Sequence, residues 1–426
     1  MQKIGIVGTG YIASGIYQQM KHEKAFVVSK MLTRRPIDSS IGLPQSILTN
    51  RVEIMIEDCD LIVEASGDAI YATEVLLKAQ QAGKPIITMN PEFQITTGSY
   101  FADKGYITDA DGDQPGCLAR LNQEVKSLNF KPLAYLNIKG FLNLNPPEDE
   151  MRYWAERQKL SLEQTISFTD GSKVQIEQAL VANGLNADIA QDGMLGPKIE
   201  NMADTGFLAD SAKELGRPIS DYILCASAPP GVLIIAEHEL AHERRGNVAL
   251  NKLLTSDGKY FRLLIPHHLI FLEVIKTIRD WHSGAAPLLN NTSTPRIGVC
   301  AIAKKPLNKG DTIERGLGSF ETRGSTVRIK EHPDHVPICL LQNARLLNDI
   351  EPGQPVNFSD VELPQSKALD IYMQIRENAC QMDSLPNTTD LFSYKSKVAE
   401  RRLADRRSTD RRSTDRRSTD RKLAEG

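Results

Sequence analysis

Charged side chains near the middle of the chain have the types and the spacing for carbonyl chemistry. Lys139 ends a β-rich run, and a lysine at a strand terminus can donate to a carbonyl oxygen as a hydride arrives or departs. Lys173 and Glu177 lie four residues apart on a predicted helix face that turns apolar, so both charges need partners. Asp170 is close enough in the sequence to be one. In this interpretation the lysines polarise a carbonyl or orient a phosphate, and the two acids orient the lysines or move a proton; the alternatives are an exposed strand-end lysine and a structural ion pair.

Two further side chains are candidates for the same chemistry. Asp109, Asp111 and Asp113 alternate along a segment that could bind a divalent cation such as Mg²⁺ or Mn²⁺, but no twelve-residue calcium loop follows. A turn rich in Asp and Gly is favoured, with Asp113 facing the substrate or a metal. His268 follows a β-rich run that stops at Pro266, where a helix is predicted to resume. It is a proton carrier or, equally, a packing histidine.

The first fifteen residues hold a glycine motif with a different chemistry. A short apolar run stops at Gly8, and the sequence Gly8-Thr9-Gly10-Tyr11-Ile12-Ala13 then leads into helical spacing. Glycines in such a strand-to-helix turn let a diphosphate approach the helix N-terminus, where free N–H groups favour an anion. The motif therefore predicts a dinucleotide site that includes Gly8, Gly10, Tyr11 and Ile12, with a structural glycine turn as the alternative.

The end of the second predicted strand indicates which dinucleotide is bound. An NAD site commonly has an acid there to hold the ribose 2′-hydroxyl, but this chain has Thr33, Arg34 and Arg35. Guanidinium groups match the geometry of a 2′-phosphate, so NADP(H) is the expected cofactor. A solvated arginine pair is the alternative.

Alternating strands and helices position these residues. The pattern over residues 1–130 predicts a Rossmann-type, doubly wound parallel sheet, in which Ser66, Gly67 and Asn90 follow later strands and face the nicotinamide. We expect an α+β catalytic domain over 131–294 and a small all-β module over 295–370, where segments 307–313 and 350–356 echo each other. Residues 371–426 are predicted to be a C-terminal segment with a disordered tail, because Arg-Arg-Ser-Thr-Asp repeats through 406–420.

Composition limits the class of protein. No run of about eighteen apolar residues predicts a membrane span, and no signal peptide is evident, so a cytoplasmic protein is expected. The six cysteines are scattered without a C-x-x-C pair, as in reduced thiols. The net charge of −3 combines an arginine-rich tail with an acidic remainder, which argues against nucleic acid as a partner of the folded part.

Taken together, several segments resemble the 1-deoxy-D-xylulose 5-phosphate reductoisomerase-like (DRL) oxidoreductases. They are the glycine turn, ADGDQPG (110–116), SFTDGSK (167–173), ANGL (182–185), the Tyr260–Leu269 segment and the β module after Pro295. The resemblance covers about residues 1–370. It implies a homoserine-dehydrogenase-type NAD(P) domain, a catalytic domain and a C-terminal SAF-type β module.

The resemblance also implies NADPH-linked chemistry on a small polyol, keto-sugar or sugar phosphate. The best-known activity of the family rearranges 1-deoxy-D-xylulose 5-phosphate and reduces the product to 2-C-methyl-D-erythritol 4-phosphate, in isoprenoid biosynthesis; a rearrangement of this kind would use a divalent ion. The chain departs from the family pattern at Asn137-Ile138-Lys139-Gly140, where Gly-Lys-Gly is frequent, and at His267-His268, where Tyr-His is expected.

We therefore expect an NADP-dependent oxidoreductase that acts on a small-molecule substrate and assembles as a homo-oligomer. One rival is a homoserine-dehydrogenase-like or polyol dehydrogenase reaction without rearrangement. The other, of a different class, is a non-catalytic protein that binds nucleotides or sugars.

Overall fold

The computed structural model describes residues 1–37, 42–239 and 248–381. In these residues the strands are β1 (Gln2–Val7), β2 (Phe26–Leu32), β3 (Leu48–Thr49), β4 (Leu61–Glu64), β5 (Ile86–Thr88), β6 (Ile107–Asp109), β7 (Lys131–Lys139), β8 (Ile219–Leu224), β9 (Val232–Glu237), β10 (Phe261–Ile265), β11 (Ile297–Ala303), β12 (Thr312–Arg315), β13 (Thr322–Arg328), β14 (Gln342–Leu346) and β15 (Val361–Glu362). The helices are α1 (Tyr11–Met20), α2 (Val52–Glu57), α3 (Ala69–Gln81), α4 (Pro91–Thr96), α5 (Gln114–Ser127), α6 (Glu148–Gln158), α7 (Leu162–Thr169), α8 (Ser172–Gly184), α9 (Gly206–Leu215), α10 (Val248–Asn251), α11 (Val274–His282) and α12 (Lys367–Gln381).

The first six strands form a parallel sheet in the order β3-β2-β1-β4-β5-β6. This is the order of a Rossmann-type sheet, and it confirms the predicted fold of the N-terminal part. Its central strands are apolar runs because helices cover both faces; Ile4 and Ile6 of β1 and Ile62 of β4 are fully buried. The carboxyl ends of β1, β4, β5 and β6 therefore meet at one edge of the sheet.

The second sheet is mixed, in the order β10-β9-β7-β8. Strand β7 pairs in parallel with β8 and antiparallel with β9, which confirms an α+β arrangement in the middle of the chain. Helix α8 is buried along almost its whole length. It contacts α4 of the first sheet, β8 of the second, and β11 and β13 beyond them, so it is the element that joins the three regions.

The β segments after Pro295 form two small antiparallel sheets, β11-β13 and β12-β14-β15. The two echoing segments lie against each other, because the backbone groups of Leu307 and Ile350 exchange hydrogen bonds of 3.0 and 2.9 Å. The all-β character of this region is confirmed, whereas its SAF-type identity stays a prediction.

Several boundaries differ from the sequence expectations. After β10 the chain runs as a loop and a 3₁₀ turn, Ile270–Leu272, and the helix begins only at Val274. Helix α12 occupies the first part of a segment for which no helix was predicted. Met1–Cys380 form one compact unit, and the predicted domain limits stay predictions.

Three further expectations concern the C-terminal tail, the cysteines and membrane-spanning helices. The predicted tail over 382–426 lies outside the described residues. All six cysteines are free thiols, as expected. In the described part of the chain, no helix is both long and apolar enough to cross a membrane.

Candidate functional site

The turn between β1 and α1 has the geometry of a diphosphate cradle. Gly8 has φ +112°, and a Cβ there would lie 2.9 Å from the carbonyl oxygen of Ala65, so the close approach of β4 requires glycine. Gly10 precedes α1, and a Cβ there would meet nothing within 4 Å. No side chain caps this helix, so its N–H groups are free for an anion.

A cavity of about 160 Å³ opens beside this turn. It is lined by six of the predicted cofactor-binding residues, Gly8, Gly10, Thr33, Arg34, Arg35 and Ser66, together with Thr9, Leu32, Ala65 and Tyr71. The glycine cradle, the uncapped helix and the adjacent guanidinium groups fit a dinucleotide.

The other predicted cofactor residues lie outside the cavity wall. Tyr11 is exposed at the start of α1, and Ile12 is half-buried behind it. Gly67 forms the turn after β4 with φ +69°. Asn90 is fully buried, and its side-chain oxygen accepts a hydrogen bond of 3.0 Å from the Phe93 N–H, so it caps α4.

The two arginines of the cavity have different surroundings. Arg34 forms an ion pair of 2.9 Å with Asp68, and its guanidinium lies 4.4 Å from the centre of the Tyr71 ring. The guanidinium of Arg35 has no ion pair among the described residues. Its backbone N–H donates to the hydroxyl of Thr33 at 3.1 Å, and both residues line the rim of the cavity.

A second cluster lies where β5, β6 and β7 end, and Lys173 is at its centre. The ammonium of Lys173 is 2.8 Å from Glu92 and 3.8 Å from Asp113. Glu92 lies in the first turn of α4, after β5, and Asp113 is the residue before α5, after β6. The same edge of the first sheet thus supplies both carboxylates to a lysine of α8.

Lys139 and Glu177 form the other half of the cluster. Lys139 ends β7, as predicted, and its ammonium is 3.3 Å from the carboxylate of Glu177 on α8. Asn137, two residues earlier on the same strand, donates to that carboxylate at 2.8 Å. The side chain of Glu177 is only 2% exposed, whereas that of Lys139 is 21% exposed and reaches solvent. Lys139 is therefore the outer member of the pair.

Burial and pairing set the protonation states of the cluster. Burial opposes the charge of Lys173, but Glu92, Asp113 and Glu177 outweigh it and raise the pKa of Lys173, so this lysine stays protonated. Burial raises the pKa of Glu177, while Lys139 acts in the opposite direction. Lys173 is consequently a fixed hydrogen-bond donor rather than a group that gives up its proton.

His268 reaches the cluster through a close backbone contact. Gly112 has φ +109°, and a Cβ there would collide with the carbonyl oxygen of Ile270, so this glycine lets the loop that carries His268 lie against the Asp113 turn. Burial lowers the pKa of His268, although the Asp113 charge raises it. The Nδ1 atom of His268 is buried without a hydrogen-bond partner among the described residues. The imidazole is thus neutral near pH 7.

Asp170 lies apart from this cluster, which corrects the expectation that it would partner Lys173. It is fully buried, its carboxylate is 2.6 Å from the ammonium of Lys304, and it accepts the Ser172 N–H at 2.9 Å. Here the structural ion pair, left open by the sequence, is what the structure contains.

Glu92 and Asn137 are the members of the cluster that sequence reasoning missed. The available signal for Glu92 was its place in Asn90-Pro91-Glu92, directly after a buried strand. For Asn137 it was a polar residue inside an otherwise apolar strand.

The three alternating carboxylates of the Asp109 segment diverge. Asp109 is fully buried and accepts from the Thr88 hydroxyl at 3.2 Å, Asp111 pairs with Arg120 at 2.6 Å, and only Asp113 faces the cluster. Among the described residues, the group with converging metal-ligand atoms is Asp192, Glu331 and His332, outside this site. The side chains of the cluster do not offer three converging ligands, and the Mg²⁺ or Mn²⁺ ion stays a prediction.

Comparison with known families agrees with this geometry. Residues 112–274 match the family model of the catalytic domain of the oxidoreductase DRL. The matched range contains Asp113, Lys139, Lys173, Glu177 and His268, the predicted catalytic residues that the structure brings together, and also Asp170. With the Rossmann-type sheet and its glycine turn, this match defines the class of enzyme. The chain is an NAD(P)-dependent oxidoreductase.

Solved structures with similar folds are dehydrogenases and oxidoreductases of low sequence identity. A probable dehydrogenase from Thermotoga maritima is 13% identical with a TM-score of 0.40, over 68% of this chain and 91% of that one. A homoserine dehydrogenase from S. aureus is 19% identical with a TM-score of 0.23, over 30% and 40%. An oxidoreductase from Agrobacterium radiobacter, in complex with NAD⁺, L-tartaric acid and magnesium, is 14% identical with a TM-score of 0.26, over 33% and 45%. No curated protein matches the chain in sequence.

Proposed function

We propose that the chain is an NADP-dependent oxidoreductase that transfers a hydride between the nicotinamide and a carbonyl or hydroxyl-bearing carbon of a small polyol, keto-sugar or sugar phosphate. The observation that carries the proposal is the convergence of Lys173, Glu92 and Asp113 with the Lys139–Glu177 pair at the strand ends. Ligands of doubly wound sheets bind at such strand ends.

The preference for NADP rests on Arg35. Asp68 and Tyr71 already hold Arg34, so Arg35, beside the hydroxyl of Thr33, is the guanidinium left for a 2′-phosphate. When bound, the nicotinamide supplies or accepts the hydride. The protein then has to hold the substrate oxygen and move one proton.

The cluster divides these two tasks. Lys173 stays protonated, and Lys139 is the more exposed of the two ammonium groups, so both donate to the substrate oxygen and stabilise its negative charge during transfer. The buried carboxylate of Glu177 positions the ammonium of Lys139 through their ion pair. His268 is neutral near pH 7 and accepts the hydroxyl proton when an alcohol is oxidised, or returns it when a carbonyl is reduced.

Dehydrogenation without rearrangement is the form of the reaction that these residues support best. The carboxylates of the cluster are paired with lysines, so a divalent ion that chelates a hydroxy-ketone would have to displace those pairs. The reductoisomerase reaction on 1-deoxy-D-xylulose 5-phosphate is the second candidate, and loss of turnover after exhaustive chelation would favour it.

The test separates nucleotide binding from turnover. NADPH oxidation and NADP⁺ reduction are screened against polyols, keto-sugars, sugar phosphates and hydroxy acids, and the substrate found is used with Lys139→Met and Lys173→Met. Each substitution removes a donor to the developing oxyanion, and we expect kcat/KM to fall about 10²–10³-fold with the nucleotide Kd unchanged. Lys305→Met, which breaks an exposed ion pair with Glu321, is the control.

Two results would contradict the proposal. Unchanged turnover in both cluster variants removes the catalytic assignment. Nucleotide binding without turnover of any compound favours the non-catalytic binding protein.

A further inference from the structure

Every positive charge in the cluster already has a carboxylate partner. Lys173 is paired with Glu92 and Asp113, and Lys139 with Glu177, at 2.8 to 3.8 Å. In the described part of the chain, no other lysine or arginine lies within ion-pair distance of these three carboxylates. Sites that bind phosphate esters combine several cations or free N–H groups around the anion. The cluster has no such excess.

At the three helix starts near the cluster, a side chain already accepts from a backbone N–H. The side chain of Asn90 accepts from the first turn of α4, that of Asp113 from the Gln114 N–H of α5 at 3.1 Å, and that of Asp170 from the Ser172 N–H of α8. Asn90 and Asp113 are the N-caps of α4 and α5, whereas α8 has no side-chain cap; Asp113 and Asp170 carry carboxylates, which repel an anion. The contrast is α1 in the cofactor cavity, which has no side-chain cap and no acidic residue in its first turn.

Further acids lie behind the cluster. Glu64 at the end of β4 and Asp109 at the end of β6 are fully buried, and each has a carboxyl oxygen without a partner among the described residues. Burial raises the pKa of Glu64 to about 7 and that of Asp109 well above its usual value. A bound phosphate would add negative charge to a region where these carboxyls already resist ionisation.

Resting on the proposed function, we infer that the substrate of this site is an uncharged polyhydroxylated compound, a polyol or ketose without a phosphate group. A hydroxyl both donates and accepts, so neighbouring hydroxyls match the alternation of ammonium and carboxylate groups along Glu92, Lys173, Asp113 and the Lys139–Glu177 pair. The side chains of Lys139, Lys173 and Asp113 are 21%, 14% and 14% exposed, so part of each faces the ligand. Phosphate recognition is then confined to the cofactor cavity.

The first test compares matched pairs of compounds with the full chain and NADPH or NADP⁺. The pairs are D-xylulose with D-xylulose 5-phosphate, 1-deoxy-D-xylulose with its 5-phosphate, and glycerol with glycerol 3-phosphate. We expect kcat/KM for the neutral member of a pair to exceed that for its ester at least tenfold. An ester that is turned over as well as the neutral compound, or better, overturns the inference.

The second test needs no turnover. Inorganic phosphate is titrated by calorimetry into the NADP⁺-saturated protein at constant ionic strength. The wild type should show no saturable binding below about 10 mM, whereas the Glu92→Gln/Asp113→Asn double variant, which frees Lys173, should bind phosphate at least tenfold more tightly. Glu321→Gln, in an exposed pair, is the matched control and should behave as the wild type.

The outcomes separate the two proposals. Phosphate binding to the wild type that Lys173→Met abolishes overturns the inference even if hydride transfer is found. Absence of turnover with every compound counts against the proposed function, and the phosphate titration then decides the inference by itself.

Discussion

Single residues in this site owe their chemical states to partners that come from distant parts of the chain. Lys173 is held as an ammonium by Glu92, 81 residues away, and the loop that carries His268 is brought to the Asp113 turn by contact with Gly112. Pairing keeps Lys173 from releasing its proton, and burial keeps His268 neutral near pH 7. A fixed donor and a mobile proton are the two requirements of carbonyl–alcohol interconversion.

The role of His268 predicts the pH dependence of alcohol oxidation. Because burial lowers its pKa, the imidazole is neutral down to a pH below the ordinary value of about 6.5, and activity falls only when it becomes protonated. We expect an acid limb of kcat with its midpoint below pH 6.5, and no such limb in His268→Asn. An identical limb in the variant would remove His268 from the proton path.

The role of Arg35 predicts cofactor selectivity. Arg35→Ala removes a charge-assisted contact worth roughly 1.5–3 kcal/mol, so the Kd of NADPH should rise about tenfold or more. NADH lacks the 2′-phosphate, and its Kd serves as the internal control. Equal weakening of both nucleotides would contradict an interaction with the 2′-phosphate.

At the scale of elements, α8 organises the molecule. Its first turn carries Lys173, and its second turn carries Glu177. Other residues of the helix pack on β11 and β13. The buried pair of Asp170 and Lys304 links the start of α8 to the end of β11. This pair holds the helix in place without touching the cluster.

The buried pair can be tested through stability. Lys304→Met leaves Asp170 as an unpaired buried carboxyl, and we expect the free energy of unfolding to fall by about 3–5 kcal/mol. Lys305→Met breaks only an exposed pair and should change it by less than about 1 kcal/mol. Urea denaturation measures both, and a similar small loss in the two variants would show that the pair does not anchor α8.

Local sequence patterns were sufficient to predict some structural elements but not others. The turn at Gly8 and Gly10 and the strand that ends at Lys139 follow from residues next to one another, and the structure contains both. The partners of Lys173 and Asp170 were missed because Glu92 and Lys304 are far along the chain, where spacing carries no information about contact. Helix α12 was missed although its buried residues, Ala368, Leu369, Ile371, Tyr372 and Ile375, recur at helical spacing.

At the scale of the whole molecule, the small sheets are closed by α12 through a buried histidine. The Nδ1 atom of His335 is 2.6 Å from the carbonyl oxygen of His332, and its Nε2 atom is 2.9 Å from the hydroxyl of Tyr372 on α12. A neutral imidazole satisfies both contacts, donating to the carbonyl and accepting from the hydroxyl. Burial lowers the pKa of His335 to about 4.

This histidine makes stability depend on pH in a defined window. Below about pH 6.5 this histidine becomes protonated in the unfolded chain, but in the folded chain it stays neutral down to about pH 4. The free energy of unfolding therefore falls across that range by up to roughly 3 kcal/mol. Urea denaturation at pH 7 and pH 4.5 should show a smaller decrease for His335→Phe than for the wild type. The exposed His22→Gln variant should keep the wild-type decrease, and equal slopes in all three proteins would contradict the assignment.

We propose that the glycine turn and the rim of Thr33 and Arg35 hold a phosphorylated pyridine nucleotide against the lysine–carboxylate cluster. Calorimetric titration of the full chain with NADPH and NADH tests it most directly. We expect saturable heat from NADPH with a Kd at least tenfold lower than that of NADH. Heat from neither nucleotide would contradict it.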